Sequence, residues 1–597
     1  MAPGLLLIGL IVVPPVLAVL TLSLFRVELI RDDLRPFVGL RNFLVRLPVD
    51  REFLETVPRT LVFAALATVA AVPIALAAAL LVNGRVRGAN ALGLLLLLPW
   101  AVAPLAAGLF WRLVFDTRFG LVNAGLGMLG VEPLRWTTDA VLTLFVTLVA
   151  VVWRAIPLLA VLLLGALRAV PPVLSRAARM DGASSWQVLR FITLPAIRPT
   201  VVIVCVVQVV LSLQVFDILF AITSGRPKPG GDLSGFAIFT TIIDNLSFGY
   251  GSALTVVLAG IIAICLLPLV PLVRNSRAGF TRVRPEDADE ETAAPSLMGG
   301  ASGVRPVNPP RPAAARPAVT STWAAQAVPA RRRRPRLGLG RGLRLLGIAA
   351  LVAWLAGPIA WLAIASVQPE SALRTSPPQL TTNLTLDGYT RLLGDRAWQG
   401  ALVVSVEVAV AATAIAVLVA ILAGYPLARF RFRGSRVVLG ALLLTQLMPP
   451  IALAIPVLFL VIGFGLKGTV AGLVLVNAAF WTPILVWLVR AAFLAVPVSL
   501  EAAARMDGAG RIGAALRIAL PAAGPAIAAA AVIVLVGVWN DFVFEAAIGT
   551  RTTSTLPRFL TITADPPYHV LAAGILLTIA PCFVLVAALH RRILRAV

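Results

Sequence analysis

Side chains able to do chemistry inside this apolar chain are few, and their types favour binding over bond-making. Gln208, Gln214, Phe216 and Asp217 fall close together in one apolar stretch, and Gln446, Asn477, Trp481, Trp539, Asn540 and Asp541 form a comparable set much later. Amides and carboxylates beside aromatic rings suit a sugar, whose hydroxyls take the hydrogen bonds while its faces lie on the rings. The same residue types also serve as interhelical hydrogen-bond partners, and that reading stays open for each of them. No clustered acid and base, activated nucleophile or metal-ligand spacing is present, so neither a catalytic residue nor a metal is expected. Cys205, Cys265 and Cys582 lie within apolar runs as core residues, and His569 and His590 stand apart near the ends of the last run with no role assigned. Arg154, in mid-run, is expected to be paired or to face water. Lys228 and Lys467 are the two lysines, and neither closes a Gly-rich phosphate loop. Any ATP hydrolysis must come from another chain.

The elements that would position these residues are membrane helices. Apolar residues make up 59% of 597 positions, with a mean hydropathy of +0.95, well beyond an ordinary soluble domain. A bilayer core takes about 20 apolar residues per helix, and about twelve such runs are found. They cover 4–25, 60–82, 91–115, 140–167, 200–222 and 253–273, then 345–367, 401–423, 437–464, 469–489, 522–548 and 570–589. The net charge of +24 does not point to nucleic acid, because the arginines gather between runs, where they set topology and meet anionic lipid. Arg85 and Arg87, then Arg429, Arg431, Arg433 and Arg436, and finally Arg591, Arg592 and Arg595 mark cytoplasmic loops and a cytoplasmic C-terminus. Charge-balanced loops at 26–59 and 370–396 face outward, so both halves share one orientation with both termini inside. The first run is read as a retained span. Residues 274–344 are expected to form a disordered cytoplasmic tether, acidic first, then rich in Pro and Ala, then carrying Arg331 to Arg334 and Arg336.

Sliding the chain against itself exposes a repeat. Val170, Pro171, Ala177, Ala178, Arg179, Met180, Asp181, Gly182, Ala183, Ile192, Leu194, Pro195 and Ala196 recur at one offset as Val496, Pro497, Ala503, Ala504, Arg505, Met506, Asp507, Gly508, Ala509, Ile518, Leu520, Pro521 and Ala522. Each copy lies in a cytoplasmic loop between the fourth and fifth runs of its half. The pattern predicts a short helix, a Gly break and a second short helix stopped near Pro.

These residues resemble the loop of binding-protein-dependent ABC importer permeases, E-A-A, three residues, G, nine residues, I-x-L-P. Both copies keep the Gly-to-Pro spacing, and both lack the family's Glu: Arg176 and Ala502 stand in its place, with Glu501 one residue earlier in the second copy. The resemblance implies that each loop is a coupling helix docking on one ATPase subunit. It assigns ATPase coupling to Ala177, Ala178, Asp181, Gly182, Ala183, Ile192, Leu194 and Pro195, and to Glu501, Ala503, Ala504, Asp507, Gly508, Ala509, Ile518, Leu520 and Pro521.

Further matches resemble the carbohydrate-uptake branch, the maltose-transporter type. The first half is similar to the larger partner through Phe37 to Phe43, Leu98-Pro99-Trp100 and Phe216-Asp217. The second is similar to the smaller through Leu427 to Gly434, Met448-Pro449-Pro450 and Trp539-Asn540-Asp541. Arg59 and Val404 replace an Asn often seen in the second span, and the usual C-terminal Gly-Ala-Val-Lys is missing. The expectation is an all-α membrane protein of about 12 transmembrane helices, built as two six-helix ABC permease units, 1–273 and 345–597, in parallel orientation, with coupling loops at 170–199 and 496–525. The resemblance implies two ABC ATPase subunits holding ATP and magnesium, an extracytoplasmic solute-binding protein, and a mono- or oligosaccharide or polyol as cargo in a bacterial inner membrane. An ABC permease for iron(III), thiamine or polyamine is the near alternative. An ion-coupled transporter would have to use Asp217, Glu407, Asp541 or Glu545.

Overall fold

Backbone amides in a hydrocarbon layer have no water to bond to, so apolar runs of this length fold as helices. The computed structural model describes residues 2–28, 36–83, 89–267, 339–375, 378–430, 432, 434–562 and 566–596. The loop with Arg85 and Arg87, residues Arg431 and Arg433 and most of the 274–344 tether lie outside the described residues, as do the side chains from His590 onward.

The main helices of the first unit are α1 (Ala2–Leu22), α2 (Arg51–Asn83), α3 (Ala89–Ala101), α4 (Pro104–Val114), α5 (Ala140–Ala169), α6 (Pro172–Met180), α7 (Ser185–Leu213), α8 (Asp217–Thr223) and α9 (Phe248–Leu266). The second repeats it with α10 (Leu339–Ser366), α11 (Arg396–Arg429), α12 (Ser435–Thr445), α13 (Pro450–Gly463), α14 (Val470–Ala495), α15 (Val498–Met506), α16 (Arg511–Trp539), α17 (Val543–Ile548) and α18 (Tyr568–Ala596). Helix α10 starts ahead of the expected position 345. Among the described residues nine helices are long and apolar enough to span a bilayer, or eleven when each of two bent pairs counts as one. Adding the apolar α1 gives the expected twelve.

Two expected spans are not single helices. Residues 91–115 divide into α3 and α4, bent by 103°, and residues 437–464 into α12 and α13, bent by 98°. Proline causes both breaks: Pro104 and Pro450 open the second helix of each pair, where a missing N–H costs nothing, and the residue before each is extended. The runs at 200–222 and 522–548 break as well, after Leu213 and after Trp539. The second helix of each repeated loop also departs from expectation. It does not stop at Pro195 or Pro521, because the π turns Leu189–Thr193 and Ala515–Ala519 carry it through the proline into the fifth span.

The units clasp each other. Helix α1 packs on α11, α13 and α14 of the second unit, while α10 packs on α2 and α3 of the first as well as on its own α18. Polar tips cross the same seam: Trp153 Nε1 donates to Trp354 O at 3.0 Å and the Tyr568 hydroxyl to Leu113 O at 3.1 Å. Rings from both units stack across it, Trp111 on Trp354 and Phe220 on Phe542.

His569, expected to stand alone, is instead a buried link. Its Nδ1 lies 3.0 Å from Glu370 Oε2 and its Nε2 3.2 Å from Asp387 Oδ2, which ties α18 to the short helices Glu370–Leu373 and Asp387–Gly394. Burial alone would push the Glu370 carboxyl up, but hydrogen bonds from Arg374 and His569 hold it below the usual range; Arg391, then His569, do the same for Asp387. A lowered folded pKa means that the stabilisation is full above the unfolded carboxylate value of about 4 and is lost as pH falls through the folded value. The Glu370→Gln/Asp387→Asn double variant in nanodiscs should therefore unfold at a lower temperature than wild type at neutral pH. The gap should close below about pH 4; a gap independent of pH would contradict the assignment.

Candidate functional site: coupling loops and solute path

The two repeated loops have one backbone geometry, and hydrogen bonds explain why Gly is needed in it. In the first, Ala183 N donates to Ala178 O at 2.9 Å and Gly182 N to Arg179 O at 3.2 Å; in the second, Ala509 N donates to Ala504 O at 3.0 Å and Gly508 N to Arg505 O at 3.2 Å. This paired closure of a helix C-terminus requires a left-handed residue, and Gly182 and Gly508 have φ of +85° and +91°. A Cβ at either position would meet nothing within 4 Å, so conformation rather than space selects glycine. Asp181 and Asp507 occupy the cap position before it.

The loops present apolar side chains to solvent: Met180 is 83% exposed and Met506 84%, with Val173, Trp186 and Phe191 on one loop and Val498, Ile512 and Leu516 on the other. Ala177, Ala503 and Ala502 are exposed beside them. The loops differ in their anchoring. Ser184 and Gln187 form a reciprocal capping box at the start of α7, whereas α16 begins after Gly510, which has no side chain to cap it. Glu501 does not face outward: it is buried, bonded through Oε1 to Arg429 Nε at 2.6 Å and through Oε2 to the Tyr425 hydroxyl at 2.8 Å. Pairing between residues 72 positions apart carries no local sequence signal. Ile192, Leu194 and Pro195, with Ile518, Leu520 and Pro521, lie on the π turn and first helical turn leading into the fifth spans.

The second candidate set gathers where the four broken helices meet. Gln214 caps α7 and its Nε2 donates to Gln446 O, at the break between α12 and α13, at 3.0 Å. Gln446 Nε2 in turn donates to Phe480 O at 3.3 Å. Asn540 Nδ2 donates to Ala101 O at 3.5 Å and Arg154 Nε to Val102 O at 3.1 Å, so both carbonyls at the α3/α4 break have partners. Asp541 accepts from Asn477 Nδ2 at 3.4 Å and from Phe544 N at 3.5 Å at the start of α17. Asp217 opens α8 and Asp541 precedes α17, each just past the break in the fifth run of its unit.

Other members sit around this centre. Phe216 packs with Phe220, Phe236 and Phe239, and Phe220 reaches Phe542. Trp539 Nε1 donates to Thr578 O at 3.0 Å, and the Trp481 ring lies on the backbone of Gly537, where a Cβ would come within 2.3 Å. Gln208 lies apart from the seam in α7, where its Nε2 donates to Ser212 Oγ at 3.0 Å. Gln208 Oε1, Asp217 Oδ1 and Asn477 Oδ1 are buried acceptors with no hydrogen-bond partner among the described residues. Among the described residues no group of three or more His, Cys, Asp or Glu is arranged to hold a metal.

Comparison with known proteins bears on this arrangement. The family described as "Binding-protein-dependent transport system inner membrane component" matches residues 68–275 and again 416–597. The trehalose/maltose transport system permease protein of Thermococcus litoralis is 34% identical over 247 residues, 41% of this chain and 82% of that protein. The sulfoquinovosyl glycerol transport system permease protein of Agrobacterium fabrum is 30% identical, over 43% of this chain and 83% of its own length. The trehalose transport system permease protein SugB of Mycobacterium tuberculosis is also 30% identical, over 40% of this chain and 88% of its own. A solved bacterial ABC transporter for import of the acidic polysaccharide alginate aligns at 19% identity and a TM-score of 0.41, over 46% of this chain and 93% of that one. Each of these relatives is thus mostly covered by less than half of this chain. With two family matches in tandem, the chain belongs to the binding-protein-dependent transport system inner membrane components, as a permease rather than an enzyme, with two permease units in one polypeptide.

Proposed function

We propose that this chain imports a sugar or related polyol across a bacterial inner membrane by alternating access, driven by two separate ABC ATPase subunits that dock on its coupling loops. The observation that carries this reading is the duplicated, identically closed loop with an exposed apolar face at the same place in both units. A helix held by hydrogen bonds at its C-terminus, with Met, Val and Trp side chains outward, fits an apolar cleft and moves as one piece. The ATPases supply ATP and magnesium. A solute-binding protein delivers cargo from outside, with both termini and the tether in the cytoplasm. Each partner then shifts the equilibrium by binding one state better than the other. The carbohydrate assignment draws on the solutes named for the relatives, trehalose, maltose and sulfoquinovosyl glycerol.

The proposed solute path follows the seam between units, through Gln214, Phe216, Asp217, Gln446, Asn477, Trp481, Trp539, Asn540 and Asp541, with Gln208 beside it. Gln214 and Gln446 bond across the seam here. Separating the units would free those amides to meet solute hydroxyls, and buried acceptors such as Asp217 Oδ1 and Asn477 Oδ1 suit hydroxyl donors.

Purified complex in proteoliposomes, assayed with labelled saccharides, should take up at least one of them only when ATP is inside; uptake of none would refute the carbohydrate assignment. At the loops, Gly508→Val and Gly182→Val should uncouple ATP hydrolysis from transport, because a β-branched residue in the left-handed region costs roughly 1–2 kcal/mol. Gly508→Asn should retain most coupling, since Asn tolerates that conformation. Equal coupling in the Val and Asn variants would contradict the conformational account.

A further inference from the structure

We propose that Glu501 is a positioning residue that rivets the second coupling helix to the membrane helices of its own unit, so that the two loops transmit force through unequal linkages. This proposal rests on the importer reading above. Arg429 is the last residue of α11, and it holds three helix ends together. Its Nε bonds Glu501 Oε1 at 2.6 Å in the first turn of α15, and its Nη2 donates to Val496 O, the capping residue of α14, at 2.9 Å. Tyr425, one turn earlier on α11, donates to the other Glu501 oxygen at 2.8 Å and stacks edge-on against Phe493 of α14. Arg490 Nε donates to Leu427 O at 3.1 Å and closes α14 on α11 a second time. Both side chains of the ion pair are nearly shielded, 8% and 10% exposed.

A shielded guanidinium–carboxylate pair with both carboxylate oxygens bonded resists separation, because breaking it strands a charge away from water. A displacement of α15 is therefore carried directly into α11 and α14. The placement is electrostatically consistent at each end, with an acidic side chain in the first turn of α15 and a cation in the last turn of α11.

Among the described residues the first unit shows no equivalent of the Arg429–Glu501 pair. At the repeat's constant offset, Ser175 stands where Glu501 does, and α2 ends on Asn83 where α11 ends on Arg429. No residue of α6 is buried, and Arg176 and Arg179 are exposed. Among the described residues no buried ion pair ties α6 to its unit, whereas α15 is held by its own unit before any partner arrives. Glu501 then acts on coupling through Arg429 rather than by touching the ATPase.

Spin labels at Leu174→Cys and Leu500→Cys report on α6 and α15, since these exposed positions correspond under the repeat. In the full chain in nanodiscs, with Cys205 and Cys265 replaced by Ala, the label on α15 should move more slowly than that on α6. Arg429→Met should raise its mobility to the level of α6, and the swapped pair Arg429→Glu/Glu501→Arg should restore it, with the α6 label unchanged throughout. In the complete transporter, Arg429→Met should raise ATP hydrolysed per solute imported by about fivefold, the lower end of coupling effects, with KM for ATP unchanged. Should Arg429→Met fail to elute as a monodisperse species, Tyr425→Phe removes one tie and should give intermediate mobility. An α15 label whose mobility ignores both variants overturns the rivet. A mobility change with no change in the ATP-to-solute ratio overturns its role in transmission. If the wild-type complex moves no solute, the importer reading fails separately, and the label measurement still decides whether α15 is riveted.

Discussion

Every backbone break in a membrane helix frees carbonyls that lipid cannot satisfy, and the architecture of this permease follows from where those carbonyls find partners. The breaks after Ala101, Leu213, Thr445 and Trp539 converge on the seam between the two units, and side chains from one break serve the next. Asn540, itself at a break, reaches Ala101 O; Gln214, at another, reaches Gln446 O; Arg154 from the unbroken α5 reaches Val102 O. Polar residues in the middle of apolar runs are thus required by the bent backbone. That same requirement concentrates amides and carboxylates along one internal surface. The seam is polar because it is broken, and the proposed solute path follows it for that reason.

Much of this was legible in the sequence, and the gaps have a common cause. Hydropathy averaged over some 20 residues finds apolar runs, because burial in lipid depends on composition. It cannot see a bend of 103° inside such a run, since both arms are equally apolar. The punctuation was nevertheless present: Leu98-Pro99-Trp100 and Met448-Pro449-Pro450 lie at the breaks before α4 and α13. In the loops the reverse error arose. Pro195 and Pro521 suggested helix ends, but a π turn absorbs each proline, and a continuous helix connects loop to span. His569 with Glu370 and Asp387, and Arg429 with Glu501, join segments far apart in the chain, and no periodicity encodes such pairs.

Duplication within one chain makes the comparison of the units direct. Their backbones agree in the repeated loops: the Gly182 and Gly508 closures match bond for bond, and the π turns fall at equivalent positions. Their side chains diverge where each shape is supported. The first loop is stiffened locally by the Ser184–Gln187 box, the second by the buried Arg429–Glu501–Tyr425 cluster that reaches into its spans. The capping box fixes a helix start within the loop, whereas the Arg429–Glu501–Tyr425 cluster ties the second loop to α11 and α14.

Such a division suits a chain whose halves are unlike and permanently joined. Two identical linkages would have to yield together, and a fused pair cannot exchange a poor partner for a better one. Under the proposed coupling, a loop tied to its own bundle would set the direction of movement, and a loop without that tie would follow its docking surface. Helices α1 and α10 each cross onto the opposite half, so any displacement of one half would meet the other through these packed helices.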